Sequence, residues 1–203
     1  MRIIRFFKNI FGDIMSTFTA VKRDLEMYVM LDPSVEKKWE VLVASVGFYA
    51  MMLYRISNLL WRWKLKFLAL IVYAASRIIT GVDIHPAARI EPGVVVDHGV
   101  GTVIGSTTSI GSGTIIYHGV TLGARRIESG KRHPDIGRNV LIGSGAKVLG
   151  AVKVGDGARI GTNAVVLNDI PAGAVAVGVP ARILEKKQDD PEQAEVPMWI
   201  HGI

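Results

Sequence analysis

Aliphatic residues return every six positions through the second half of the chain: Ile84, Ile90 and Val96, then Ile104, Ile110, Ile116 and Leu122, then Ile136, Ile142, Val148, Val154, Ile160 and Val166. Thirteen hexads begin this way. Each supplies one short flat strand and one turn, and three of them close a triangular coil whose apolar residues stack inward on the next coil. Glycine follows the aliphatic residue at Gly105, Gly111, Gly123, Gly137, Gly143, Gly155 and Gly161. Small or β-branched residues (Thr114, Val120, Ala146, Ala158, Ala164) take the fifth position, where the bend is tight. Each coil covers the hydrogen-bonding edges of its neighbour, so only the ends need caps. The spacing predicts a parallel β-helix over residues 81–184.

Of 22 glycines, 19 fall between Gly81 and Gly178, so composition changes abruptly near residue 80. Before that point the chain reads as three or four helices. Ser16 or Thr17, and Ser34 after Asp32-Pro33, are expected N-caps, and Met51, Tyr54, Leu59 and Trp63 recur at helical spacing. The fold class is therefore α+β: an N-terminal helical region over 1–80, the β-helix over 81–184, and a polar, acidic tail over 185–203 expected to be a flexible extension. The opening MRIIRFFKNIFGDIM sets Ile3, Phe7, Ile10 and Ile14 beside Arg2, Arg5 and Lys8, a pattern read as packing against protein in preference to a membrane surface. Arg55, Arg62, Lys64 and Lys66 keep VLVASVGFYAMMLY and FLALIVYAAS short of the ~20 apolar residues of a spanning helix, so buried helices are expected there.

With 49% hydrophobic and 21% charged residues the chain has enough apolar surface to fold. The absence of cysteine excludes disulfides, thiolate metal sites and a cysteine nucleophile, and fits a reducing compartment. The opening lacks the apolar run and cleavage site of a secretory signal, so a cytoplasmic location is expected. The net charge of +6 is uneven: residues 1–80 carry 12 basic and 6 acidic side chains, residues 81–184 carry 10 and 7, and residues 185–203 carry 2 and 5. No basic tract with interleaved aromatics marks a nucleic-acid groove. The central excess suits a small polyanionic ligand or a solvated surface.

The hexad rhythm fails twice. Val96 to Ile104 spans eight residues instead of six, and Leu122 to Ile136 spans fourteen. The first irregularity holds Asp97-His98, and the second is the extrusion GARRIESGKRHPD with Arg132-His133 near its end. A stacked coil gains nothing from extra residues, so insertions carrying ionisable groups point to a ligand site.

The elements GVDIHPAARI, VVVDHGVGTVIG, GVTLG, KRHPDIG, GSGAKVLG and GVPARIL, spread over about Arg23 to Leu184, resemble the serine O-acetyltransferases of the hexapeptide-repeat superfamily. The resemblance implies a left-handed β-helix, a homotrimer with active sites between subunits, acetyl-CoA as donor, L-serine as acceptor and O-acetylserine, a precursor of cysteine, as product. It implies that His98 is the general base for the acceptor hydroxyl; an imidazole titrates near neutrality and can take and return that proton. Asp83, fifteen residues earlier and near one coil's length away, would orient His98 as its dyad partner. Arg132 and His133 would hold the serine carboxylate, and Asp32 and Asp97 its ammonium; the planar fork of an arginine can bond both carboxylate oxygens. The coenzyme would lie in a groove between adjacent β-helices, against Gly123, Ala124, Ser144, Ala146 and Thr162. Lys147, Arg159 and Arg182 are candidate phosphate partners.

No metal is expected. His98, His118 and His133 are spaced 20 and 15 apart, without a close histidine pair, which disfavours a three-histidine zinc site. His118 stands where related enzymes often carry glutamine, and either lines the site or faces an interface. GARRIESGK replaces the family's GGTGK stretch, which leaves homoserine or a sugar hydroxyl open as alternative acceptors. The remaining alternative is a catalytically silent scaffold. The resemblance further implies L-cysteine as a feedback inhibitor, a trimer or dimer of trimers, and docking of the C-terminal Gly202-Ile203 into O-acetylserine sulfhydrylase.

Overall fold

A computed structural model of the protein describes residues 2–31 and 37–184. The side chains of residues 2–9, which carry most of the amphipathic opening, lie outside the described residues, as do Asp32, Ser34 and the tail from residue 185.

Four helices come first: α1 (Arg2–Leu31), α2 (Lys38–Ala44), α3 (Val46–Arg62) and α4 (Lys66–Thr80). The expected cap at Ser16 or Thr17 is not a helix start. Both lie inside α1, where their hydroxyls donate back to the Asp13 carbonyl at 2.8 and 2.9 Å, so a residue type that favours caps is satisfied within the helix. Ser45 is a true N-cap, its hydroxyl accepting from the Phe48 N–H at 3.2 Å. Gly81, in the left-handed conformation at φ +67, closes α4.

From Asp83 the chain winds through short strands in three parallel sheets. The first holds β1 (Asp83–Ile84), β4 (Val103–Ile104), β7 (Thr121–Gly123), β10 (Lys147–Leu149) and β13 (Val165–Val166). The second holds β2 (Arg89–Ile90), β5 (Ser109–Ile110), β8 (Asp135–Ile136) and β11 (Lys153–Val154). The third holds β3 (Val95–Asp97), β6 (Ile115–Tyr117), β9 (Leu141–Ile142), β12 (Arg159–Ile160), β14 (Val175–Val177) and the antiparallel β15 (Arg182–Ile183), which caps the stack with a hairpin. Successive strands visit the three sheets in turn, as hexad coiling requires, and about five coils result. The register records the insertions. Thr121 pairs with Lys147 and that residue with Val165, 26 and then 18 residues on, while Asp83 pairs with Val103, 20 residues on. The aliphatic residues that set the hexads are buried from Ile84 to Val166 and form one continuous core.

That core does not stop at residue 80. Ala50, Met51 and Tyr54 of α3 join it beneath the first coil, and Tyr28, Val41 and Phe48 form a second cluster with Val95. A buried ion pair fixes the arrangement: Arg55 of α3 grips Asp24 of α1 at 2.9 and 3.1 Å and also donates to the Ile90 and Glu91 carbonyls, while the Gly93 N–H donates to Asp24 at 2.7 Å. Burial pushes the Asp24 carboxyl up from its ordinary value, and Arg55 and the backbone donors pull against it. The expectation of a buried helix in FLALIVYAAS needs correction. α4 buries only Ala69, Ser76 and Thr80, and Phe67, Ile71 and Ile78 are exposed in the single chain, because one narrow stripe suffices to pack on α3. No single helix among the described residues is long and apolar enough to cross a membrane; α2 and α3 together reach that length but meet at 84°.

Candidate active site

The first insertion lies on the corner where the third sheet turns into the first. Asp97 ends β3, in register with Tyr117, and His98 follows in the left-handed region at φ +56, where residues with a Cβ rarely sit. The Gly99 N–H donates to the Asp97 carbonyl at 2.7 Å and the Val100 N–H to the His98 carbonyl at 2.8 Å. These two successive three-residue turns absorb the extra length, and the Gly101 N–H rejoins the coil at the Gly81 carbonyl. The consequence is an exposed imidazole beside a half-buried carboxylate.

Both face a cleft of about 480 Å³ between the helices and the third sheet, lined by Tyr28, Glu40, Val46 and Tyr117 among others. Leu31 lines it too, and Asp32, outside the described residues, follows it in sequence. Burial raises the Tyr28 and Tyr117 hydroxyls above their ordinary values, and the negative charge of Asp97 adds to both. The cleft therefore pairs carboxylates with neutral phenols, a lining suited to a cation. Sequence reasoning missed Tyr28, Glu40 and Tyr117; Glu40 and Tyr28 sit on helices whose placement no motif reports. His118, one coil farther on, stands edge-on to His98 with ring centroids 6.3 Å apart, and its buried Nδ1 has no hydrogen-bond partner among the described residues.

The second insertion lies on the corner between the first and second sheets. Residues 124–131 are exposed, and the chain returns at Arg132-His133 onto Thr107 of the coil. The His133 ring covers Gly105, where a Cβ would stand 2.0 Å from it, so only glycine admits this imidazole. His133 is 7% exposed, and burial, with the charges of Arg132 and Lys131 and then His85, lowers its pKa. Arg132 is half-buried and donates to the Glu128 carbonyl at 2.7 Å.

Asp83 opens β1, in register with Val103, and its charge acts on His85 together with that of Arg132. Tyr73 of α4 donates to one of the Asp83 oxygens and Arg77 bonds the other at 3.2 Å. His85 beside it accepts the Ala87 N–H on Nδ1 at 3.0 Å, which stabilises the turn, and packs edge-on against Trp61 at 5.4 Å. Burial lowers its pKa, with Asp83 opposing and Arg132 adding to the effect. The expected contact of Asp83 with His98 is not made within one chain. Fifteen residues fall short of a coil lengthened to 20, and both Asp83 oxygens are engaged by Tyr73 and Arg77.

The coenzyme candidates divide likewise. Gly123 and the exposed Ala124 lie at the second corner, the buried Ser144 and exposed Thr162 at the first, Lys147 on the first sheet and Arg159 on the third. Lys147 donates to the Gly119 carbonyl. Ala146 is a correction: its methyl is fully buried in the core, and its backbone already bonds Gly143 and Thr121, so it offers no surface to a ligand. No group of three potential metal ligands converges among the described residues.

A family model described as bacterial transferase hexapeptide (six repeats) matches residues 133–168. A serine acetyltransferase of Helicobacter pylori strain J99 is 49% identical over 162 residues, which is 80% of this chain and 95% of that protein. The chain belongs to the serine acetyltransferase family. Two solved serine acetyltransferases share its fold: one in complex with cysteine at a TM-score of 0.84 and 42% identity, covering 88% of this chain and 74% of that one, and one in complex with CoA at 0.81 and 41%, covering 87% and 73%. Parallel hexad coils over 83–177 behind an N-terminal helical cap are thus the serine acetyltransferase architecture, consistent with a left-handed β-helix.

Proposed function

We propose that this chain transfers the acetyl group of acetyl-CoA to the hydroxyl of L-serine, with His98 as general base. The observation that carries the reading is the Asp97-His98 turn, which holds an exposed imidazole at the mouth of an acid-lined cleft. His98 removes the hydroxyl proton as the serine oxygen bonds to the thioester carbonyl carbon; the carbon–sulfur bond then breaks, and the imidazolium returns the proton to the departing thiolate. Asp97, with Asp32, takes the serine ammonium, and Arg132 with His133 takes its carboxylate.

These groups occupy two corners of one chain, so a site that uses them all joins the first corner of one subunit to the second corner of the next. A homotrimer does this three times over. In it Asp83, poised by Tyr73 and Arg77, meets the partner's imidazole across the seam. The exposed apolar face of α4, which runs directly into Asp83, supports such an interface. The same proposal includes L-cysteine as an inhibitor at the serine site, in keeping with the cysteine complex of a relative. It also includes a cytoplasmic location, a trimer or a dimer of trimers as the assembly, and docking of Gly202-Ile203 into O-acetylserine sulfhydrylase.

Free thiol release from acetyl-CoA, followed with L-serine, homoserine and sugar acceptors, tests the reading. Serine-dependent release that falls about 10²–10⁴-fold in His98→Ala is expected. Turnover of another acceptor but not serine overturns the substrate, and unchanged activity in His98→Ala overturns the base.

A further inference from the structure

One hydroxyl organises the whole returning end of the second insertion. The Arg132 N–H donates to Thr107 Oγ1 at 3.2 Å, the His133 N–H donates to it at 3.1 Å, and the same oxygen stands 2.8 Å from His133 Nδ1. A threonine hydroxyl has one proton and two lone pairs. Here both lone pairs are filled by backbone N–H groups, so the proton is left for the imidazole, and Nδ1 must be the acceptor. A second donor agrees: the Thr107 N–H also points at Nδ1, at 3.2 Å. With two donors on Nδ1 the ring proton resides on Nε2, which becomes the nitrogen available to a ligand. Gly105 beneath the ring and Lys131, whose ammonium donates to the Thr107 carbonyl at 2.7 Å, complete the anchor.

We infer that Thr107 is the positioning residue of the serine-carboxylate half-site: its hydroxyl fixes the backbone of Arg132-His133 and holds His133 as the neutral Nε2–H tautomer. This rests on the serine acetyltransferase reading. The loop before Arg132 is exposed from residue 124 to 131, and the guanidinium's own bond is to the Glu128 carbonyl inside that loop, so the fixed reference for Arg132-His133 is the coil at Thr107. An eight-residue extrusion would otherwise deliver them with the freedom of a loop; the hydroxyl gives them the precision of the coil. Thr107 itself touches no reacting atom.

Steady-state kinetics of Thr107→Val and Thr107→Ser, with serine and acetyl-CoA varied separately, test the inference. Valine keeps the shape and removes the hydroxyl. It is expected to raise the serine KM about tenfold or more, with a smaller loss in kcat and an acetyl-CoA KM within about twofold of wild type. Serine restores the hydroxyl and is expected to keep the serine KM within about threefold. A serine KM unchanged in Thr107→Val, equal rises in both KM values, or a serine variant as impaired as the valine one overturns the role. A general packing residue would move both KM values and thermal stability together. Should Thr107→Val not fold, ¹⁵N NMR of His133 in the wild-type protein decides: protonated Nε2 with bare Nδ1 at neutral pH is expected, and the Nδ1–H tautomer or an imidazolium refutes the assignment. The spectrum needs no turnover, so failure of the parent reading, seen as no serine-dependent thiol release by wild type, remains distinguishable.

Discussion

The Tyr28 hydroxyl spans both polar groups of the Val96 backbone: it donates to the carbonyl at 2.9 Å and accepts the N–H at 3.0 Å. Val96 is the residue before Asp97-His98. Gly47 makes the arrangement feasible, since a Cβ there would lie 1.7 Å from the Val96 oxygen and 2.9 Å from the Tyr28 hydroxyl. The phenol ring packs edge-on against Phe48 at 5.7 Å, so α1 and α3 together clamp the strand that presents the proposed base.

Tyr28→Phe keeps the ring and deletes the clamp. Two buried backbone groups lose their partner, at about 1–3 kcal/mol for each group left unpaired. Denaturant unfolding is expected to show that loss, and kcat to fall with it as the Asp97-His98 turn loosens. Stability equal to wild type would mean that water replaces the hydroxyl.

The division of the proposed site between two corners predicts complementation. His98→Ala and Arg132→Ala, each inactive alone, are mixed, dissociated and reassembled. In randomly mixed trimers about a quarter of the seams receive an intact imidazole from one chain and an intact guanidinium from the next, so activity should recover toward that fraction. No recovery after verified subunit exchange would place each site within a single chain.

His133 and His85 predict the pH response of the fold. Burial is the first cause of a lowered pKa for both, so the unfolded chain, with histidine near its ordinary value of 6.5, binds protons that the folded chain refuses. Stability is then fully present above about pH 6.5 and is lost as pH falls toward the depressed folded values. Glu91 enters later and Asp24 with the opposite sign: Arg138 bonded to Glu91 holds that carboxyl below its ordinary value of 4.5, so its contribution is lost as pH falls through the lower folded value, whereas the raised Asp24 carboxyl works against the decline. Thermal melts from about pH 8 to pH 5 should be flat and then decline, and His133→Gln should flatten the decline. A melting temperature that rises on acidification would contradict the neutral assignment.

Much of this protein was legible in one dimension. Hexad spacing announced the coil, and the two failures of spacing announced Asp97-His98 and Arg132-His133, because side-chain direction in a short strand is a local property that repeats with the chain. The helical region was less legible. An apolar pattern like that of α4 reads as buried, yet burial depends on what lies opposite, and within one chain most of that helix faces outward.

The sequence by itself determined the six-residue rung, the inward aliphatic core and the positions of both insertions, since each follows from local periodicity and backbone sterics. Only the tertiary structure decided which corner each insertion occupies, that Asp83 bonds Tyr73 and Arg77 of α4 and not His98, and that Thr107 and Tyr28 anchor residues 26 and 68 positions away. Those are matters of coil length and helix docking. They join groups far apart along the chain, which no local pattern records.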